Sequence, residues 1–298
     1  PGRDAEWRKK IVSTIGEEAF RQEYEADFLG SSNTLVSTEK LQELSFKSPL
    51  FSRDSLDVYE EPVVGASYVM TVDVARGQGI DFSAFSVFDT TEIPYKVVAK
   101  YKNNEVAPLH FPNIINIVGK RYNDAYILVE INDIGSQVAD VLHHDLEYEY
   151  LYSTSWYGRH GQQLSSGAKR ESAFGVRTTK TMKKLGCSNL KSLIEENKLL
   201  FNDYDIITEL TTFIAIGESF SGEEGTNDDL VITLVLFAWL VDQQYFKDLS
   251  NQNIRDNLYQ NQMNQLEDLT TPFGVIDNGL NKKEYEIDSD GTVWETIN

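Results

Sequence analysis

Residues 67–89, SYVMTVDVARGQGIDFSAFSVFD, constrain this chain more than any other stretch. A run of strand-forming side chains ends on the carboxylate of Asp73, passes a turn marked by Gly77 and Gly79, and resumes as an alternating run over 82–88. A carboxylate at the end of a buried strand has to be paired, hydrogen-bonded or metal-bound, because taking it out of water without a partner is costly. Taken alone, the stretch fits a solvated strand end equally well, so the other acids of the chain decide how Asp73 is read.

Strands are predicted at 66–73, 82–89 and 95–101, and the short turns between them favour an antiparallel meander. A helix over 109–121 follows, and then the strand AYILVE, which closes on a second acid, Glu130. A helix opening at Gly135 carries Val138, Val141 and Leu142 on one face, and a short strand is predicted at 149–152. The polar segment 155–170 reads as a loop or hairpin. In the next helix, 178–197, Met182, Leu185, Leu193 and Ile194 point inward and Lys180, Lys183, Lys184 and Lys191 outward. Asp203 is placed to cap a further helix, and 219–227 reads as flexible. Asp228 and Asp229 then stand at the mouth of an apolar helix over 230–241. That apolar run is 12 residues, the most apolar of the chain. A membrane span needs about 20, so it reads as a buried helix and no membrane is expected as a partner.

Three parts are expected: a helical segment and extended connector over 1–65, a core over 66–245, and an acidic extension over 246–298 with a helix at 251–266 and a hairpin at 284–296. The last piece has Asp288, Asp290 and Gly291, but Ile297 stands where a calcium loop requires Glu.

One cysteine, Cys187, excludes an internal disulfide and a thiolate zinc site, and four scattered histidines lack metal-ligand spacing. Any metal chemistry therefore rests on oxygen ligands. The net charge of -20 argues against a polyanion partner, yet residues 159–191 hold eight Lys or Arg against one acid.

Three meandering strands, a helix, a fourth strand and further helices follow the order of the ribonuclease H fold, an α/β fold whose mixed central sheet is flanked by helices. Its first and fourth strands are parallel neighbours about 4.8 Å apart, so Asp73 and Glu130 would face each other, with Asp228 and Asp229 brought beside them. Clustered carboxylates repel unless cations neutralise them, and hard oxygen ligands select Mg²⁺ or Mn²⁺. Two such ions about 3.5–4 Å apart would activate water for in-line attack on a phosphodiester.

VMTVDVARGQGIDFSAFSVFD, ILVEINDIG and EEGTNDDLVITLVL resemble the three acidic motifs in the nuclease domain of tailed-phage large terminases, especially those of T-even-like phages. EEAFRQEYEADFLG resembles the segment that leads into that domain, so the resemblance covers about residues 1–245. It implies an endonuclease that cuts concatemeric double-stranded DNA to begin and end headful packaging. By the same resemblance Asp73 bridges two metal ions, Glu130 binds one, and Asp228 or Asp229 supplies the third ligand. Which of the two does so stays open, because Asn227 stands where related sequences usually have His.

Asp81 reads either as an auxiliary ligand or as a turn residue, and Asp133 as a helix-start or surface acid. Arg159, Lys169, Arg170, Arg177, Lys180, Lys183 and Lys184 read as phosphate contacts, or else as an ordinary solvated face. The chain has no G-x-x-x-x-G-K-[ST] loop, so the resemblance implies an ATPase (translocase) domain upstream in a longer polypeptide. It further implies a portal ring and a small terminase subunit as partners. The expected location is the cytoplasm of the infected host and, transiently, the procapsid portal vertex, not the mature virion. Two other readings remain at this stage: a junction resolvase or ribonuclease H-type hydrolase, and a non-catalytic DNA clamp or docking module.

Overall fold

The computed structural model describes residues 33–79, 81–156, 162–165, 173–244, 246–248, 285–287 and 293–295. The helices expected within 1–30 and 251–266, and the side chains of Arg159, Lys169 and Arg170, lie outside the described residues.

A short helix, α1 (Thr38–Glu43), is capped by the Ser37 hydroxyl, which accepts from the Lys40 N–H. Two short strands, β1 (Phe51–Arg53) and β2 (Leu56–Val58), form a hairpin. Its turn residues Asp54 and Ser55 have φ of 50° and 69°, the two positive values of a type I′ turn, whose twist matches that of the strands it joins. The expected meander follows as β3 (Tyr68–Asp73), β4 (Ser83–Asp89) and β5 (Tyr95–Asn103), all antiparallel neighbours. Because β2 pairs with β5, the hairpin belongs to the central sheet, where the sequence predicts a mostly extended connector. Its turn carries no Gly, and so gave no hairpin signal.

Helix α2 (Phe111–Arg121), with Pro112 in its first turn, leads to β6 (Tyr126–Val129). β6 runs parallel to β3, with Val69 opposite Tyr126 and Val72 opposite Val129. Helix α3 (Gly135–Asp140) continues into a π-helical turn over Val141–Asp145. The polar segment forms the hairpin of β7 (Ser153–Trp156) and β8 (Gln162–Ser165), with β9 (Ala173–Phe174) on the other side of β7.

Then come α4 (Lys180–Glu195), β10 (Leu199–Leu200), which pairs parallel to β5, and α5 (Tyr204–Thr212). Asp203 caps α5 by accepting the Ile206 N–H at 2.7 Å, as expected. β11 (Phe213–Ile216) and β12 (Ser219–Gly222) make a hairpin where the sequence reads as flexible, turning at Gly217 with φ 63°. The apolar helix is α6 (Asp229–Asp242). In a separate unit of the chain, β13 (Tyr285–Ile287) pairs antiparallel with β14 (Val293–Glu295), the hairpin expected there.

The sheet order is β1-β2-β5-β4-β3-β6, a mixed sheet covered on both faces. Met70, Val72 and Phe85 lie on the face covered by α2 and α3, packing with Phe111, Ile115 and Val138. Val69, Ala84 and Phe88 lie on the opposite face, with α4, α5 and α6. This double cover is why β3 is buried at consecutive positions instead of alternate ones. All residues of α6 from 230 to 240 are buried, each large apolar side chain contributing about 1.5–3 kcal/mol. Phe237 stacks on Phe88 with ring centroids 3.9 Å apart.

Helix α4 differs from its sequence reading. Leu185 is exposed, and the buried face is Met182, Gly186, Cys187, Leu190 and Ile194. Gly186 sets that rotation, because a Cβ there would come within 2.7 Å of the Val235 carbonyl oxygen, so bare backbone lets α4 close on α6. No helix among the described residues is long and apolar enough to cross a membrane.

Candidate metal centre

Parallel pairing of β3 with β6 carries Asp73 and Glu130 to neighbouring strand ends. The Glu130 N–H donates to the Val72 carbonyl at 2.8 Å, which extends the ladder by one residue past β6. Gly135 opens α3 directly against this point, where a Cβ would lie 1.8 Å from the Glu130 carbonyl oxygen. Only glycine lets α3 start there without moving Glu130. On the side-chain side, the Asn132 amide donates to Glu130 Oε1 at 3.2 Å and to the Thr178 carbonyl at 3.1 Å.

The N-terminal end of α6 supplies the third group. A hydroxyl network fixes its height over the sheet: Thr71 donates to the Thr233 carbonyl at 2.7 Å, and Ser86 Oγ lies 2.6 Å from Thr233 Oγ1. Thr233 in turn donates to the Leu230 carbonyl at 2.7 Å, and all three hydroxyl residues are wholly buried. Asp228 stands at the cap position but makes no capping bond with its side chain; its Oδ2 accepts from the Gly222 N–H at 3.1 Å. The cap comes from another helix, as Glu209 of α5 accepts the Val231 N–H at 3.0 Å. Asp229 accepts the Phe82 N–H at 3.3 Å.

These acids share one electrostatic site. Asp73 is half-buried at the head of a cleft, and loss of solvent around its carboxyl drives its pKa well above the usual carboxylate range. The charge of Glu130 and a hydrogen bond with it add to the rise, followed by the charges of Asp229 and then Asp228. Asp229 is pushed up to about 7, first by burial and next by the charge of Glu209, against the opposing pull of the Phe82 N–H and Lys102. A cleft of about 300 Å³ opens here, lined by Asp73, Asp81, Asp133, Asp228, Asp229 and Arg76 among others.

The donor set fits a hard divalent cation. It is all carboxylate oxygen, it is partly buried, and the charges of Glu130, Asp229 and Asp228 raise the affinity of Asp73 for a positive charge. Asp81 is exposed on the cleft wall. Asp133 is bound by Arg76, whose Nε and Nη2 donate to its two oxygens at 2.7 and 2.8 Å.

Among the described residues, the group of three acids whose oxygens lie within 4.8 Å of one another is Asp57, Asp203 and Asp205. The ammonium of Lys100 already occupies it, 3.1 Å from Asp57, 3.5 Å from Asp203 and in close contact with Asp205. The Tyr59 hydroxyl also donates to Asp203 at 2.5 Å. This is an internal ion-pair cluster that ties β2 and β5 to the start of α5.

The basic stretch is divided in its described part. Arg177, Lys180 and Lys184 are exposed. Lys183 instead turns inward, with its ammonium 4.0 Å from Asp228 and 5.7 Å from the Phe213 ring centroid. Sequence reasoning missed Glu209, an acid nearly buried beside the site and paired with Lys102 at 2.6 Å. It missed as well the Arg76 partner of Asp133. The signal for that pair was the strand register itself: Asp73 and Glu130 are 57 residues apart, and so are Arg76 and Asp133.

The model of the terminase RNaseH-like domain family matches residues 70–238, the span from β3 to α6. Solved structures of similar fold include the large terminase nuclease from thermophilic phage G20c with bound magnesium, at TM-score 0.53 and 19% identity. The same nuclease with bound cobalt gives TM-score 0.52 and 19% identity, and each match covers 70% of this chain and 97% of that one. The large terminase nuclease domain of Thermus phage P74-26 gives TM-score 0.50 at 19% identity, covering 68% of this chain and 93% of the other. The chain belongs to the terminase RNaseH-like domain family, with the ribonuclease H-like α/β fold of phage large-terminase nuclease domains.

Proposed function

We propose that this chain is the metal-dependent endonuclease of a phage DNA-packaging motor, cutting concatemeric double-stranded DNA to begin and end headful packaging. The observation that carries the reading is the half-buried Asp73–Glu130 pair at adjacent parallel strand ends, under the field of Asp228 and Asp229. Asp73, Glu130 and the Asp228/Asp229 pair would hold Mg²⁺ or Mn²⁺, two ions per site, with Asp81 within reach as an auxiliary ligand. Ions bound there would lower the pKa of a water and stabilise charge on the leaving oxygen in phosphodiester hydrolysis.

The chain's own residues do the positioning. Asn132 orients Glu130 through Oε1, and the Phe82 N–H orients Asp229. Lys102 pairs with Glu209 and offsets part of that acid's charge beside Asp229. Arg177, Lys180 and Lys184 offer exposed charge for the DNA backbone, and Arg159, Lys169 and Arg170 are proposed as further phosphate contacts on their charge alone. Lys183 is less suited to that task, because it faces Asp228. In this reading the working partners are duplex DNA, the upstream ATPase domain, the portal ring and the small terminase subunit. The place of action is the host cytoplasm and the procapsid portal vertex.

The test is cleavage of supercoiled plasmid by the chain in Mg²⁺ or Mn²⁺, beside Asp73→Asn and an EDTA control. The expected result is metal-dependent linearisation and degradation that Asp73→Asn lowers by roughly a hundredfold or more while remaining folded. Equal cleavage by both proteins would refute the site. Preference for a four-way junction or an RNA–DNA hybrid over linear duplex would refute the packaging substrate, and DNA binding without cleavage at any metal concentration would refute catalysis.

A further inference from the structure

We propose that Arg76 seats a DNA phosphate at the mouth of the acidic cleft, and that Asp133 holds its guanidinium there until a phosphate replaces the carboxylate. This rests on the nuclease reading above.

Among the described residues that line the cleft, Arg76 is the one cation, set among Asp73, Asp81, Asp133, Asp228 and Asp229. A polyanion approaching five acids needs a compensating positive group. The nearby lysines are committed elsewhere: Lys102 to the 5%-exposed Glu209, and Lys183 toward Asp228 and the Phe213 ring. Neither leaves its partner without stranding a charge or exposing apolar surface.

Arg76 differs, because it and Asp133 are each 60% exposed. Exposed pairs are held by only about 0–1 kcal/mol, so release is cheap. Their two parallel N–H···O bonds use the fork that a phosphate accepts equally well. Replacing one oxyanion by another therefore keeps both guanidinium bonds and changes only the acceptor.

The backbone prepares this exchange. Arg76 lies three residues beyond Asp73, and Asp133 three beyond Glu130, so the pair stands at the rim of the site that would hold the metal. Asp133 sits at φ 49°, in a turn closed by the Gly135 N–H donating to the Asn132 carbonyl at 3.0 Å. The carboxylate is thus presented from a fixed turn while the longer arginine is free to swing.

The experiment measures binding of a fluorescent duplex in EDTA over a series of salt concentrations, for the unaltered chain, Arg76→Ala, Arg76→Lys and Asp133→Asn. Arg76→Ala is expected to raise Kd about tenfold and to reduce the slope of log K against log salt by about one. Arg76→Lys should recover only part of this, since an ammonium lacks the fork. Asp133→Asn should bind as tightly or more tightly, because it frees the guanidinium. In plasmid cleavage with Mg²⁺, Arg76→Ala should raise KM by a similar factor.

If the pair merely ties two loops together, Arg76→Ala and Asp133→Asn will weaken binding alike and lower Tm alike, which overturns the proposal. Duplex binding and cleavage by the unaltered chain with no change in Arg76→Ala would sink this inference alone. No duplex binding by the unaltered chain would sink it together with the nuclease reading.

Discussion

Thr233→Val tests whether the sheet positions the helix that carries two of the candidate ligands. The substitution keeps shape and volume but removes a hydroxyl that donates to the Leu230 carbonyl and accepts from Ser86. Ser86 is wholly buried, so its hydroxyl would be left without a partner, at a cost of about 1–3 kcal/mol. For a unit of this size each kcal/mol lowers Tm by about 2–4 °C, which gives a fall of roughly 2–12 °C. Ser86→Ala removes the other partner, so the double variant should recover most of the loss, with a coupling of about 1–2 kcal/mol. Thermal denaturation of all four proteins in EDTA measures the cycle. Since Thr233 lies one helical turn beyond Asp229, plasmid cleavage in saturating Mg²⁺ should fall with it. A double variant as unstable as the sum of the singles would refute the network, and full cleavage by a destabilised Thr233→Val would refute its link to the site.

Gly135→Ala should damage function more than stability. Its Cβ would lie 1.8 Å from the Glu130 carbonyl, so α3 or Glu130 has to shift, at about 1–3 kcal/mol of strain. Cleavage and Tm measured together check this, and unchanged cleavage would disprove it. The pH dependence follows from Asp229, whose pKa rises on folding from 3.8 to about 7. Between those values Asp229 binds more proton in the folded chain than in the unfolded one, so its contribution to stability without metal is greatest at low pH and is lost as pH rises through about 7. In EDTA, Asp229→Asn should show a flatter decline of Tm from pH 5 to pH 8 than the unaltered chain, and Mg²⁺ should raise Tm more at pH 8 than at pH 5. Identical slopes in EDTA would contradict the assigned burial.

Much of the fold was legible because its signals are local. The meander, the crossing helix and β6 follow from runs of strand formers and short turns, and α6 follows from an unbroken apolar stretch. The misses share a cause. The β1–β2 turn at Asp54 and Ser55 uses left-handed residues without Gly, and its strands gain stability only by pairing with the distant β5. The segment 219–222 is a strand because β11 precedes it, although its Ser and Gly content reads as a loop. In α4, apolar spacing alone put Leu185 inside, whereas the approach of Val235 to Gly186 rotated it outward.

By itself the sequence determined which acids end buried runs and begin the apolar helix, namely Asp73, Glu130, Asp228 and Asp229, and that any metal chemistry rests on oxygen. Those are properties of single segments, set by burial and by residue type. What only the tertiary structure decided is which charges meet. Glu209 caps α6 from another helix, Lys100 fills the Asp57–Asp203–Asp205 cluster, Lys183 faces Asp228, and Arg76 reaches Asp133. Charge pairing depends on distances between segments far apart in the chain, and these are fixed by sheet register and helix packing, which no single stretch encodes.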